Sequence, residues 1–346
     1  MSETVLRFAV YGGLVFIAFN ALIIASAILV LAERKIMGFM QQRYGPYLVG
    51  PHGTLQPFAD ILKLLFKEEL RPKGADKWLF TLAPILSVVT AFVAFAPVPF
   101  GAQTTLFGLL DEPLNLGVAD VNVGVLVVFA VTSMGVYGIV LAGWSSNSKY
   151  SLFGGLRASA QMISYELAYA TALAAVILLA GSMSLREVVE SQAGTGRFIP
   201  FLPNWYVVPQ FFGFLIYMIA GIAETNRAPF DFPEAEQELV AGYNTEYSSV
   251  RFALFPQAEY INMVTVAGVA TSLYLGGWLF PFVPEWLGWI VFIIKVSVIL
   301  VFYIVLRWTV PRYRYDQLMS FGWKFLFPAS VINLLVTAAM VLYLNA

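Results

Sequence analysis

The sequence predicts an all-α integral membrane protein, a bundle of eight transmembrane helices with one interfacial amphipathic helix in the first cytoplasmic loop. Of its 346 residues, 59% are hydrophobic and 12% are charged, whereas about 25% of the residues of a soluble domain are charged. The apolar residues form long continuous runs of helix-spanning length, unlike the short alternating strands of an outer-membrane barrel. We therefore expect one transmembrane domain over residues 1–346.

Eight apolar runs are each long enough to cross about 30 Å of hydrocarbon at about 1.5 Å per residue. The first run ends in Glu33-Arg34-Lys35 without a small-residue cleavage site, so we interpret it as a retained span and not as a signal peptide. An even number of spans places both termini on the same side of the membrane. The predicted spans cover residues 8–32, 78–98, 119–142, 155–181, 205–225, 260–281, 286–307 and 322–344.

Lysine and arginine residues are divided unevenly between the two sides of the membrane. Most lie in or beside the loops 33–77, 143–154, 226–259 and 308–321. The loops on the other side, 99–118, 182–204 and 282–285, and the N-terminus beside them hold only Arg7, Arg186 and Arg197. Because cytoplasmic loops are enriched in Lys and Arg, both termini are predicted to be periplasmic. The expected location is a bacterial cytoplasmic (inner) membrane, or the mitochondrial inner membrane if the chain is organellar.

The first cytoplasmic loop contains the pattern of an amphipathic helix. From Leu55 to Phe66 apolar residues recur at helical spacing, and polar residues such as Asp60 occupy the opposite face. Thr54 is the expected N-cap, and Pro57 is tolerated because it falls in the first turn. The segment is too short and too charged to span the membrane, so we expect it to lie at the interface. A simple membrane-surface anchor is the plainer alternative.

Residues 224–260 form the most acidic stretch of the chain, with only Arg227 and Arg251 as basic residues. The carboxylates are Glu224, Asp231, Glu234, Glu236, Glu238, Glu246 and Glu259. Like charges this close raise one another's pKa and can share protons. A solvated acidic loop is the alternative, but aromatic residues such as Phe230 and Phe232 alternate with the carboxylates and favour a buried or partner-covered segment.

Two ionisable residues are predicted to lie deep in the membrane. Glu166 is about 14 Å along its helix from Arg157, which marks the cytoplasmic edge, and Lys295 lies at a similar depth counted from Arg307. A lone charge at this depth costs at least about 3 kcal/mol. The pair could be a static ion pair that fixes helix packing, but intramembrane ionisable residues more often have a function, so we favour proton handling.

Polar residues also follow one face of the fourth predicted span, at i, i+4, i+8 and i+12, and suggest hydration or interhelical hydrogen bonds. These residues are Arg157, Gln161, Tyr165 and Tyr169. Glu33, Glu224 and Glu259 lie at the cytoplasmic ends of three other spans. If those helices pack around Glu166, the carboxylates would form a path from the acidic stretch to mid-membrane.

The chain contains no cysteine and one histidine, His52. Cysteine-ligated zinc, cysteine-ligated iron–sulfur clusters and a bis-histidine haem are therefore excluded within this chain. If the protein takes part in redox chemistry, the electron carriers lie on another chain.

Three motifs resemble the signatures of one family. They are ERKIMG at 33–38 followed by QRYGP at 42–46, ETNRAPFD at 224–231 with the acidic residues after it, and PRYRYDQLM at 311–319. Together they resemble the quinone-site membrane subunit of respiratory complex I, the proton-pumping NADH:quinone oxidoreductase. The resemblance covers essentially the whole chain, in order.

The resemblance implies a role for two sets of residues. It implies a passage for the ubiquinone tail that is lined by Arg34, Phe39, Arg43, Asp60, Phe252, Tyr260 and Arg307. It implies an acidic path from the quinone cavity toward the proton-pumping subunits that is formed by Glu33, Glu166, Glu224, Asp231, Glu234, Glu236 and Glu259, with Lys295 as a partner.

The resemblance also implies the cofactors and partners. Ubiquinone would be a substrate at a site shared with peripheral subunits, and flavin and iron–sulfur clusters would lie on other chains. The partners would be the peripheral quinone-site subunits, small membrane subunits, antiporter-like subunits and membrane lipids, with no nucleic acid.

Three other interpretations of the sequence remain open. The chain could be the equivalent subunit of a membrane-bound hydrogenase or another dehydrogenase, which co-purifying subunits would distinguish. A stand-alone ion transporter would have an inverted repeat and paired broken helices, and the sequence shows no such symmetry. A purely structural dock for peripheral subunits would leave Glu166 and Lys295 without a purpose.

Overall fold

The computed structural model describes residues 3–104, 114–196, 203–231 and 240–345, and this part of the chain is mainly helical. Short 3-10 turns lie at Pro51–Gly53, Gly242–Asn244 and Glu285–Leu287, and a π-helical turn lies at Gly322–Leu326. The α-helices are α1 (Glu3–Met40), α2 (Gln56–Phe66), α3 (Lys77–Phe95), α4 (Gly124–Ser145), α5 (Lys149–Ala180), α6 (Leu185–Glu190), α7 (Phe211–Glu224), α8 (Ser249–Tyr274), α9 (Gly288–Thr309), α10 (Tyr315–Phe321) and α11 (Phe327–Asn345).

A two-stranded antiparallel hairpin is formed by β1 (Gln103–Thr104) and β2 (Leu114–Asn115), in the loop between α3 and α4. Gln103 pairs with Asn115, and Thr104 pairs with Leu114. The hairpin is a small addition to a helical fold.

Six helices of the described part of the chain are long and apolar enough to cross a membrane. They are Phe8–Met40, Lys77–Phe95, Gly124–Ser145, Lys149–Ala180, Glu285–Thr309 and Tyr315–Tyr343. The predicted class, an all-α membrane protein, is thereby confirmed. The two other predicted spans, 205–225 and 260–281, correspond to α7 and α8, and neither is among the six.

Helices α7 and α8 are not among these six helices for different physical reasons, since α7 is short and α8 is polar. Helix α7 has 14 residues, which gives only about 21 Å of helix. Helix α8 is 26 residues long, but it contains polar side chains such as Gln257, Glu259 and Asn262. From Ala258 to Tyr274 nearly every residue of α8 is buried, against α1, α3, α6, α7 and α9. A helix enclosed by protein does not need a lipid-compatible surface, so its polar residues can be satisfied by neighbouring helices.

Loops predicted to share one side of the membrane contact one another. The backbone N–H of Asp76 donates to Ser145 O at 3.0 Å, and the backbone N–H of Leu70 donates to Ser248 Oγ at 2.8 Å. On the opposite side, the N–H of Val125 at the start of α4 donates to Met183 O at 3.1 Å. These contacts agree with the predicted grouping of the loops, and the orientation of the bundle in the membrane stays a prediction.

The helix in the first loop begins later than its sequence suggested. Leu55, and not Thr54, is the N-cap of α2, and Pro57 lies in the first turn as expected. The Thr54 hydroxyl donates to Pro51 O at 3.0 Å, because the chain forms a 3-10 turn just before the helix. The apolar residues of α2 remain outward, with Phe58 and Leu65 exposed by 62% and 56%.

Close helix packing depends on glycine at two contacts. A Cβ on Gly143 of α4 would lie 2.6 Å from Ser151 O in α5. A Cβ on Gly154 of α5 would lie 2.6 Å from the Cα of Gly242, in the turn that precedes α8. Small residues allow backbones to approach this closely in membrane bundles, and backbone atoms cannot move aside as a flexible side chain can.

We expect Gly154→Ala to destabilise the protein by about 1–3 kcal/mol, because the added methyl group would overlap the backbone at Gly242. Gly13→Ala in α1 is the matched control, since a Cβ there would meet no atom within 4 Å. The measurement is the thermal unfolding midpoint of each variant purified from membranes. Equal midpoints for the two variants would contradict the packing argument.

Candidate functional site

A buried carboxylate, Glu33 near the end of α1, is the centre of an ionic cluster. The Tyr260 hydroxyl of α8 donates to Glu33 Oε2 at 2.6 Å. Arg227 Nη1, just after α7, lies 3.5 Å from the same oxygen, and the guanidinium of Arg307 in α9 donates to Glu33 Oε1. A charge removed from water must be paired and hydrogen-bonded, and four chain segments meet here to do so.

Arg227 connects this cluster to a second buried carboxylate, Glu259 of α8. Arg227 Nη2 lies 3.9 Å from Glu259 Oε2, and its guanidinium carbon lies 4.1 Å from the centroid of the Tyr260 ring. The Tyr243 hydroxyl donates to Glu259 Oε1 at 3.3 Å. In the sequence, Arg227 stood out only as a rare basic residue in the acidic stretch, although its place inside the ETNRAPFD motif was a usable signal.

A small cavity of about 30 Å³ lies beside Glu259 and reaches Glu224 at the end of α7. Three buried oxygen atoms of its lining residues have no hydrogen-bond partner among the described protein atoms, namely Glu224 Oε2, Asn226 Oδ1 and Asn262 Oδ1. A cavity needs about 10–15 Å³ to hold one water molecule, and buried polar groups without protein partners are commonly satisfied by water. The cavity is therefore large enough and polar enough for about two water molecules.

Two adjacent hydroxyl residues of α4 lie beside Glu224 and Glu166. Thr132 lies beside the Glu224 side chain and donates its hydroxyl hydrogen to Phe129 O at 3.0 Å, and the Ser133 hydroxyl donates to Glu166 Oε1. Glu224 is buried, with 8% of its surface exposed, and it lies close enough to Glu166 for the two carboxyl groups to interact electrostatically. Glu166 is half-buried. Glu224 and Glu166 therefore lie near each other, while the depth of Glu166 in the membrane and its role in a proton path stay predictions. Thr132 and Ser133 were missed by the sequence analysis.

The predicted polar stripe of α5 makes interhelical hydrogen bonds. Gln161 Nε2 donates to Ala223 O at 3.0 Å and to Phe230 O at 2.7 Å. The Tyr165 hydroxyl donates to Leu318 O at 2.9 Å. The stripe therefore fixes α5 against the end of α7, the segment after it, and α10.

Lys295 does not form the suggested ion pair with Glu166. Its ammonium group donates to three backbone carbonyl oxygens at the end of α8 and in the loop after it, those of Leu275 at 2.6 Å, Gly277 at 2.9 Å and Leu279 at 2.7 Å. A cation at a helix C-terminus satisfies carbonyl groups that lack helical partners. The suggested ion pair was wrong because matching depth along two helices does not determine the direction of a side chain.

The acidic residues after α7 are only partly described. The backbone oxygen of Asp231 accepts a hydrogen bond from Arg312. Glu234 and Glu236 lie outside the described residues, so their predicted place in the acidic path stays a prediction.

The residues of the predicted quinone passage fall into two groups. Arg34 Nη1 of α1 lies 2.5 Å from Asp60 Oδ2 of α2, while Phe39 is 80% exposed at the end of α1 and Arg43 donates to the side chain of Gln41 at 2.8 Å. Phe252 is 36% exposed near the start of α8.

The second group, Tyr260 and Arg307, lies inside the Glu33 cluster. The two residue sets implied by the resemblance are therefore in direct contact at Glu33. The start of α8 also lies against the end of α2, since Ser249 Oγ donates to Leu64 O at 2.9 Å.

Comparison with known proteins agrees with these motifs. The family model described as NADH dehydrogenase matches residues 13–338. The NADH-quinone oxidoreductase H subunit of Syntrophotalea carbinolica is 51% identical over 318 residues, which cover 92% of this chain and 92% of that protein. The second such protein of Geobacter sulfurreducens is 46% identical and covers 99% of this chain and 100% of its own length. The corresponding protein of Paramagnetospirillum magneticum is 48% identical and covers 92% and 88%.

The match extends over nearly all of the described helices, and the family predicted from the three motifs is confirmed. This chain therefore belongs to the NADH dehydrogenase family.

Proposed function

We propose that this chain is the membrane subunit of a proton-pumping NADH:ubiquinone oxidoreductase that forms the quinone entrance channel together with peripheral subunits. In this proposal it also carries an acidic coupling path from the quinone cavity toward the membrane arm. The chain supplies a channel and a proton path, while the electrons reach ubiquinone from carriers on partner subunits.

One observation supports the proposal: ionisable groups follow one another from the Glu33 cluster to Glu166. Glu33 and Glu259 share Arg227, Glu259 and Glu224 line the same polar cavity, and Glu224 lies close enough to Glu166 for the two carboxyl groups to interact electrostatically. Carboxyl groups separated by water or hydroxyl groups can exchange protons, and a like charge nearby favours protonation of one of them.

The arrangement gives quinone chemistry a physical route to this path. Tyr260 and Arg307, which the family resemblance assigns to the quinone passage, both bind Glu33. A negative charge formed during quinone reduction would attract Arg227 and Arg307 and so weaken their interaction with Glu33. It would also favour protonation of Glu33. The exposed apolar face of α2 and the Arg34–Asp60 pair would form the wall of the entrance for the apolar tail.

We further propose that α7 and α8 cross the membrane within the protein interior, which gives eight spans with both termini periplasmic. The near-complete burial of α8 supports this, because an enclosed span does not have to be lipid-compatible. The basic loops would face peripheral subunits on the cytoplasmic side of the inner membrane, and other membrane subunits would pack laterally.

Glu224→Gln tests the acidic path, since glutamine has nearly the same shape but cannot ionise. We expect NADH:quinone reductase activity and proton pumping by the assembled complex to fall about tenfold or more. Glu190→Gln is the matched control, because Glu190 is an exposed residue of α6 that pairs with Arg186 at 2.8 Å. Both variants are measured in membrane vesicles after assembly is checked on native gels. Wild-type activity and pumping in Glu224→Gln would overturn the proton path.

A photoreactive ubiquinone analogue tests the entrance. We expect it to label residues 34–66 of this chain in the intact complex, and excess ubiquinone should suppress the labelling. Peptide mass spectrometry locates the label. Labelling that excess ubiquinone suppresses but that lies only on other chains would contradict the placement of the entrance at α1 and α2.

A further inference from the structure

Four buried tyrosines lie beyond Glu224, on the side away from the cytoplasmic cluster. They are Tyr169 of α5, Tyr217 of α7, Tyr274 of α8 and Tyr303 of α9, and each is at most 3% exposed. Tyr217 precedes Glu224 by seven residues, about 10 Å along the helix. Tyr169, Tyr217 and Tyr303 lie close enough to Glu224 to interact with it electrostatically. We call this group the tyrosine layer.

The hydroxyl groups of the tyrosine layer lead to backbone carbonyls. The hydroxyls of Tyr169 and Tyr217 are 2.8 Å apart, and the Tyr217 hydroxyl donates to Val266 O at 2.8 Å, so Tyr169 is the donor to Tyr217. The Tyr274 hydroxyl donates to Ala172 O at 3.3 Å. A peptide carbonyl accepts a hydrogen bond but has no hydrogen to pass on. These hydroxyls are therefore the end of a hydrogen-bond chain and not a link in a proton relay.

The rings of the layer pack tightly. Ring centroids are 4.7 Å apart for Tyr169 and Tyr217 and 5.4 Å apart for Tyr217 and Tyr274. Gly221 of α7 allows this packing, because a Cβ there would lie 2.6 Å from Val266 Cγ1 and 3.2 Å from the Tyr303 hydroxyl. Close-packed aromatic rings exclude water.

A second polar zone begins on the far side of the tyrosine layer, before the start of α7. Gln210 Nε2 donates to Thr337 Oγ1 of α11 at 2.6 Å, and Asn333 Nδ2 donates to Gln210 Oε1 at 2.9 Å. Gln210 precedes Glu224 by 14 residues, about 21 Å of helix. The tyrosine layer thus lies between two polar zones near opposite ends of α7.

We propose that Tyr217 and Tyr274 form an insulating barrier that closes the acidic path toward the opposite face of the membrane. The barrier rests on the proposed function, since it matters only if Glu224 carries protons. A proton on Glu224 then exchanges with the cavity and with Glu166, and it does not cross to the polar zone at Gln210. The two tyrosines act as positioning residues for proton movement.

The test compares two double variants in the intact complex, reconstituted into liposomes. Tyr217→Ala with Tyr274→Ala removes both rings, and the polar-lined space that remains can take up water. Tyr217→Phe with Tyr274→Phe keeps both rings and removes only the hydroxyl groups. We expect the passive proton permeability of the alanine variant to exceed that of the phenylalanine variant and the wild type by about tenfold or more.

The alanine variant should also pump fewer protons per NADH oxidised while it continues to reduce quinone. A merely structural role would lower the amount of assembled complex and would not raise the permeability of the complex that does assemble. Wild-type permeability in an assembled alanine variant would overturn the barrier. If that variant does not assemble, Tyr217→Ala alone is compared with Tyr217→Phe, and equal permeability of the two would overturn it as well.

Adding Glu224→Gln to the alanine variant separates this inference from the proposed function. We expect the added substitution to abolish the leak, because the proton must pass through the Glu224 carboxyl group. If the leak keeps its size, the protons do not pass through Glu224. The inference that the two tyrosines close the path at Glu224 is then overturned. Unimpaired pumping by Glu224→Gln alone would instead overturn the acidic path itself.

Discussion

The buried carboxylate of Glu33 is the constraint on which the rest of the structure depends. Four segments distant in sequence supply this group and its three partners, Tyr260, Arg227 and Arg307. Removing one partner of a buried ion pair typically costs about 3–5 kcal/mol, because the remaining charge is left uncompensated. The cluster therefore determines where α1, α8, α9 and the segment after α7 meet. That meeting point determines which carboxylates lie close to one another.

Glu224 lies between two environments of opposite character. On one side is the cavity, with oxygen atoms that have no partner among the described protein atoms; on the other are the packed rings of Tyr169, Tyr217 and Tyr274. Water molecules can pass protons along, whereas the tyrosine hydroxyls end on backbone carbonyls that have no hydrogen to pass on. In the proposed function, this carboxyl group exchanges protons with Glu259 and Glu166, and the tyrosine layer separates it from the polar zone at Gln210.

Sequence patterns predicted individual contacts to different extents. The i, i+4 stripe of Gln161 and Tyr165 was identified from spacing alone, because helical periodicity determines which residues share a face. Lys295 does not pair with Glu166, which the sequence analysis had considered as an alternative, since spacing along one helix does not tell which neighbour a side chain reaches. Arg227 was overlooked as a site residue because its importance comes from two carboxylates, Glu33 and Glu259, that lie on other helices.

The sequence by itself determined the class and the family. The class follows from composition and from the length of the apolar runs, because a helix in lipid must be apolar over about 30 Å. The family follows from the motifs, because they depend only on residue identity and order along the chain. Only the tertiary structure decided that α8 is enclosed by other helices, that Lys295 caps the end of α8, and that tyrosines pack beyond Glu224. These properties depend on distances between segments far apart in the chain, and those distances arise from the packing of whole helices.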